Sequence, residues 1–217
     1  MLASITHEIN NPLQTIKNSL YLLQVDTDPN DQNWEYLEIA SAETKRISNL
    51  VAELREIYRP PTIPAGTVVN LVNVVNEVHG LIRNELDKGN VEWVVDPATS
   101  GSWDTTGNKD QIKQVLINLC INAIEAMQPQ GGRLELIFRP GSPESKEIGV
   151  LVRDSGPGIS TDYLDRLFEP FQTTKQKGAG LGLAISYEII QRHKGRLTAR
   201  NYEGGAEFGV WLPATSQ

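Results

Sequence analysis

His7 stands in the run HEINNPL, beside Glu8 and one helical turn ahead of Asn11. A neutral imidazole is a competent nucleophile and general base near neutral pH, and a neighbouring carboxylate can hold or deprotonate the ring. The next residues that could act together are Asn118 and Asn122, one turn apart on a helix, with Glu125 nearby. Uncharged amide oxygens suit an Mg2+ ion held mainly by phosphates and water. Asp154 then opens the run DSGPG, where a carboxylate can accept from an exocyclic amine while the glycine backbone passes close to a flat ring. Last comes GAGLGL, starting at Gly178, whose glycines let backbone N–H groups approach a phosphate at a helix N-terminus. It is not a P-loop, since no Gly-Lys-Ser/Thr follows, and it lacks the preceding strand of a dinucleotide fingerprint. Each stretch also has a plainer reading. His7 could be a solvated histidine at a helix start, the asparagines a hydrogen-bonded pair in a core, and the glycines ordinary turns.

The elements that must position these residues follow from periodicity. Leu2, Ile5, Ile9, Leu13, Ile16, Leu20 and Leu23 recur at steps of three and four, one face of a helix. At ~100° per residue that stripe spans roughly 80°, and His7 points nearly opposite it, with Asn11, Gln14 and Asn18 on its own face. Pro12 has no N–H, so the carbonyl of Glu8 loses its helical partner and a bend is expected there. The run VDTDPNDQ is turn chemistry. After it Leu37, Ala40, Thr44, Ile47, Val51, Leu54 and Tyr58 form a heptad seam, which needs another helix against it. A helical hairpin pairing with a second copy into a four-helix bundle would bury both stripes. RPPTIPAG (59–66) stops the helix and stiffens a linker, which places a domain boundary.

Beyond the linker, helix and strand alternate. Asn70 can cap a helix reaching Lys88; 91–95, 133–139, 148–153, 196–201 and 206–212 read as strands; 110–127 and 181–193 read as helices. The long Gly-, Pro- and Thr-rich stretch before 181 is of a kind that usually carries function. Net charge is −7 without a Lys/Arg cluster, which argues against nucleic acid or an anionic membrane as the main partner. No apolar run approaches the roughly 20 residues of a membrane span, and no signal peptide is visible. The single cysteine, Cys120, excludes an internal disulfide and any cysteine-based zinc site, and fits a reducing cytoplasm. His79 and His193 read as solvated or helix-end residues, and Trp34, Trp93, Trp103 and Trp211 as packing residues.

The order of the motifs resembles the transmitter core of two-component sensor histidine kinases, over essentially the whole chain. HEINNPL looks like the H box, QVLINLCINAIEAM the N box, DSGPGI the G1 box, LFEPFQTTK the F box and start of the ATP lid, and GAGLGLAIS the G2 box. The wording of HEINNPL, NAIEAM and FEPFQTTK is nearest the nitrogen-regulatory and oxygen-sensing type. The resemblance implies an α+β fold. A dimerising phospho-acceptor hairpin (1–60) would precede an ATP-binding α/β sandwich with a mixed sheet (66–217). It implies that His7 is the phospho-acceptor, Glu8 its acid/base partner, and Asn11 the residue that orients water for phosphatase activity. Asn122 would coordinate Mg2+, Asp154 would read the adenine amine beside Gly156 and Gly158, and Lys175 would reach the phosphates from the lid. Asn118, Gly178, Gly180, Leu181 and Gly182 would line the nucleotide, and Phe168 and Phe171 would anchor the lid. In related ATPases of the gyrase and Hsp90 group a glutamate stands at the position of Asn118 and activates water; an asparagine cannot, which favours transfer to His7 over hydrolysis. The implied partners are a homodimer mate and the receiver domain of a response regulator, with no nucleic acid and no membrane contact by this stretch. The lid between Lys175 and Gly178 is short, and only six residues precede His7, so the chain is expected to be a piece of a longer protein or one without its sensor.

Overall fold

The computed structural model describes residues 2–58, 67–96, 102–142, 144–172, 180–202 and 204–215, with side chains in the first stretch described for 11–48 and Val51. The chain divides into two compact units, Met1–Pro60 and Pro61–Gln217.

The first unit is a pair of helices, α1 (Leu2–Asp26) and α2 (Trp34–Tyr58). Helix α1 runs through Pro12 without interruption. The turn between the helices is built by short acidic side chains. Asp28 accepts from the backbone N–H of Asn30 at 2.9 Å, and Asp31 accepts from that of Asn33 at 2.7 Å. Both are Asx turns, and they reinforce the backbone bonds from the Asp31 N–H to the Asp28 carbonyl at 2.8 Å and from the Trp34 N–H to the Asp31 carbonyl at 3.0 Å. Leu13, Thr44 and Val51 are buried, whereas Ile16, Leu23 and Ile47, from the same expected stripes, are 48%, 52% and 44% exposed. The hairpin therefore covers only part of its apolar seam.

The second unit contains β1 (Val68–Asn70), α3 (Leu71–Gly89), β2 (Val91–Asp96), β3 (Asp104–Thr106), α4 (Lys109–Ala126), β4 (Gly132–Pro140), β5 (Glu147–Asp154), α5 (Thr161–Leu164), α6 (Gly182–Arg192), β6 (Arg196–Tyr202) and β7 (Gly205–Pro213). The main sheet has the order β2-β4-β5-β7-β6; β2 and β4 run parallel and the other neighbours antiparallel. Registers such as Leu136↔Val152↔Phe208 and Phe138↔Val150↔Val210 line one face with large apolar side chains. Against it α3, α4 and α6 bury Val74, Val78, Ile112, Leu116, Leu119 and Ile190, all almost fully enclosed. This is the mixed-sheet, two-layer arrangement expected from the motifs. Among the described residues no helix is long and apolar enough to cross a membrane.

Three features were not expected. β1 and β3 form a small antiparallel sheet of their own, too short for a periodicity signal. The long stretch before α6 contains the single-turn helix α5. His193 caps the end of α6, as expected of a helix-end residue, but it is buried rather than solvated. Its Nε2 accepts from the Asn108 N–H at 3.0 Å, and its Nδ1 bonds the Ile189 carbonyl at 2.7 Å. Asn108 is in turn the N-cap of α4, accepting from the N–H groups of Asp110 and Gln111. The end of α6 is thus tied to the start of α4.

Candidate nucleotide site and phospho-acceptor helix

In the first unit His7 and Glu8 lie on α1; their side chains fall outside the described residues. Asn11 is exposed one turn on. Gln14 donates to Asn18 Oδ1 at 2.9 Å, so the polar stripe expected along this face is present from Asn11 onward.

In the second unit Asp154 is the last residue of β5 and is only 3% exposed. Its Oδ1 accepts from the N–H of Gly156 at 2.9 Å and from that of Ala206 at 3.4 Å. Burial pushes the Asp154 carboxyl above the usual aspartate range, and these two bonds pull the other way. The hydroxyl of Tyr202 donates to the Asp154 carbonyl at 2.9 Å. The chain leaves the strand through Ser155, whose hydroxyl accepts from the N–H of Arg133 at 2.9 Å, and through Gly158 at φ +80°. That conformation explains the glycine at 158.

On the neighbouring helix, Asn118 and Asn122 are half-buried one turn apart. Asn118 Nδ2 donates to the Ser186 hydroxyl at 3.0 Å, and Ser186 donates to the Gly182 carbonyl at 2.9 Å. A Cβ on Gly182 would stand 2.5 Å from Asn118 Oδ1, so the start of α6 passes α4 where only a glycine fits. Gly180 sits at φ +67° and its carbonyl accepts from the N–H of Phe171 at 2.9 Å, which closes the segment 171–180 at its base. Lys175 and Gly178 lie inside that segment and outside the described residues. Leu181 is 1% exposed, so its side chain belongs to the core and only its backbone is left to meet a ligand.

The expected lid anchors separate. Phe168 stacks on Tyr187 with ring centroids 5.4 Å apart, but the Phe171 ring is 66% exposed, so its role at the base of the segment is carried by the backbone bond to Gly180. Sequence reasoning did not single out Ser186, Asn201 or Tyr202. The only cue was the position of Asn201 and Tyr202 at a strand end ahead of a Gly-Gly turn.

The pattern described as "His Kinase A (phospho-acceptor) domain" matches residues 1–62, and that described as "Histidine kinase-, DNA gyrase B-, and HSP90-like ATPase" matches residues 107–216. The chain is 33% identical over 214 residues to sporulation kinase A of Bacillus subtilis, covering 98% of this chain and 34% of that protein. It is 32% identical over 223 residues to sensor histidine kinase ZraS of Salmonella typhimurium, covering 100% of this chain and 46% of that one. The chain therefore spans less than half the length of these relatives. Among solved structures, histidine kinase ThkA in complex with response regulator protein TrrA superimposes with a TM-score of 0.70 at 29% identity, over 98% of this chain and 60% of that one. Its two matched patterns, in this order, together with relatives aligned over almost all of its length, make the chain a member of the sensor histidine kinases, carrying their transmitter core.

Proposed function

We propose that the chain moves the γ-phosphoryl group of ATP to His7 and from there to an aspartate of a response regulator. The observation that most supports this is the pairing of a phospho-acceptor pattern at 1–62 with an ATPase pattern at 107–216, in a chain that divides into compact units at Pro60. In this reading 1–60 is the dimerisation and phospho-acceptor domain and 66–217 the ATP-binding domain.

ATP is the substrate of the second unit. Asp154 accepts from the adenine amine, and the tight backbone at Gly156 and Gly158 lets the base lie against the chain. At the other end Gly180 and Gly182 offer backbone N–H groups at the start of α6, where a phosphate is favoured. Lys175 adds a positive charge to the phosphates. Asn122 suits Mg2+, because a single neutral oxygen donor fits an ion whose other ligands are phosphate and water. When bound, that ion supplies charge neutralisation on the phosphates. Asn118 has its amide nitrogen committed to Ser186 and carries no basic group, so it activates no water for hydrolysis.

At His7 the lone pair of the unprotonated ring nitrogen attacks the γ-phosphorus. An N–P bond forms, the bond from the γ-phosphorus to the bridging oxygen breaks, and ADP leaves with the electron pair. The ring carries positive charge until Glu8 takes the proton from its other nitrogen. The regulator's aspartate then attacks the phosphorus, the N–P bond breaks, and the ring recovers a proton. Asn11, exposed one turn from His7, orients water for the reverse signal, hydrolysis of the phosphorylated partner. The open positions Ile16, Leu23 and Ile47 are covered by a second copy of the hairpin. These steps belong in the cytoplasm, where ATP is available.

The test is incubation with γ-labelled ATP and Mg2+, wild type beside His7→Ala. An acid-labile label that the substitution abolishes, with nucleotide affinity retained, is the expected result. Equal labelling of both proteins would remove His7 as the acceptor.

A further inference from the structure

The turn joining β6 to β7 touches the loop 154–159 at both ends. At its start, Tyr202 donates to the Asp154 carbonyl and the Ala206 N–H reaches Asp154 Oδ1. At its end, Asn201 makes two bonds to one distant residue. Its Oδ1 accepts from the Ile159 N–H at 2.7 Å, and its Nδ2 donates to the Ile159 carbonyl at 2.6 Å. A side-chain amide has one acceptor and one donor edge, so it can pair with a backbone residue as a neighbouring strand would. Both bonds are short although Asn201 is exposed, where water competes for each group.

The loop between these contacts needs such a hold. It contains Gly156 and Gly158, which have the widest backbone freedom of any residue. Gly158 is at φ +80°, and a Cβ there would stand 2.9 Å from Asn201 Oδ1. The asparagine and the glycine are therefore fitted to each other. A loop fixed before its ligand arrives loses less entropy on binding than one that must be ordered by it.

We propose that Asn201 is a positioning residue for nucleotide binding: by pairing with Ile159 it holds the loop 154–159 in the path that sets Asp154 and the glycine backbone against the base. The inference rests on reading Asp154 as the adenine-binding residue. Asn201 acts through Ile159, and its effect falls on affinity rather than on the transfer step.

The experiment compares wild type, Asp154→Asn, Asn201→Ala and Asn201→Asp by calorimetric titration with ATP and by initial rates of autophosphorylation. Asn201→Ala removes both bonds. Asn201→Asp keeps the shape and the acceptor for Ile159 N–H but sets a second acceptor against the Ile159 carbonyl. Both Asn201 variants are expected to bind ATP roughly tenfold more weakly, with the loss in KM and kcat at saturating ATP kept within about twofold. Asp154→Asn is expected to weaken binding as well. If Asp154→Asn binds ATP like wild type, the site reading fails and the inference falls with it. If Asp154→Asn weakens binding while both Asn201 variants bind like wild type, the site stands and the positioning role is overturned. A loss in kcat with KM unchanged overturns it too. Hydrogen exchange on the nucleotide-free wild type needs no variant to fold: the Ile159 amide is expected to be protected, and an unprotected amide would refute a clamp made before binding.

Discussion

Asn118 and Ser186 are joined by a 3.0 Å hydrogen bond that couples α4 to α6, and Gly182 passes beneath it with no room for a side chain. Helix α4, which carries Asn118 and Asn122, is in this way set against the first turn of α6.

Gly182→Ala should therefore disturb both helices at once. The added methyl would stand 2.5 Å from Asn118 Oδ1, closer than any stable contact. Overpacking of this kind costs about 1–3 kcal/mol. The expected outcome is a lowered unfolding midpoint and kcat/KM for ATP reduced by roughly tenfold or more. Ser186→Ala should move both in the same direction by less, since it removes a bond without adding bulk. Wild-type ATP use in Gly182→Ala would separate this contact from the site.

The buried carboxyl of Asp154 predicts opposite pH trends for stability and for binding. Burial raises its pKa in the folded protein above that of the unfolded chain. Folding thus takes up a proton between the two values, so the ionised carboxyl costs stability above that window and the cost vanishes as pH falls through it. On the role proposed for Asp154, adenine recognition runs the other way, because protonation would remove an acceptor from the exocyclic amine. ATP affinity should fall on acidification at a pH above the ordinary aspartate range, while this residue's contribution to stability improves. Titrations of Asp154→Asn should lack both steps. Affinity that falls identically in wild type and variant would assign the acid limb to another group.

His193 should matter for stability more than for chemistry. It is 5% exposed and bridges Asn108 to Ile189, so its Nδ1 carries the proton and its Nε2 accepts. His193→Ala would leave the Asn108 N–H without that partner and open a cavity, together about 2–4 kcal/mol. Urea unfolding of the variant measures this. A loss below about 1 kcal/mol would mean that the tie between α4 and α6 is replaced at little cost, for instance by water.

These cases show which parts of the molecule sequence could convey. Long apolar segments such as α3 and α4 are legible because burial against one sheet face sets their composition and spacing, and Asn70 marks the start of α3 by its capping chemistry, whereas the cap Asn108 of α4 emerges only from the structure. β1 and β3 are not legible, since three residues carry no period. The burial of His193 is not legible, because a lone histidine at a helix end has no pattern; only the fold brings Asn108 to it across 85 positions. Asp154, Gly156 and Gly158 stood out by type and order, yet Asn201 and Tyr202, which hold their loop, lie on a strand more than forty positions away. Local spacing marks the groups proposed to meet the ligand, and topology supplies those that hold them.

The hairpin offers the last prediction. Its buried positions, Leu13 and Val51, alternate with Ile16 and Ile47, which a single copy leaves 48% and 44% exposed. Two helices cannot close an apolar seam on both sides, and a two-fold pairing of hairpins would. In such a dimer each substitution enters the interface twice. Ile16→Asp and Ile47→Asp should each shift sedimentation from dimer towards monomer, with a cost of about 2–4 kcal/mol per dimer from burying unpaired carboxylates. Gln32→Glu in the exposed turn is the control and should remain dimeric. ATP affinity should be unchanged in all three, because the residues proposed to bind it lie in the other unit. If both isoleucine variants sediment as wild type does, the exposed seam serves some other contact and the four-helix arrangement is wrong.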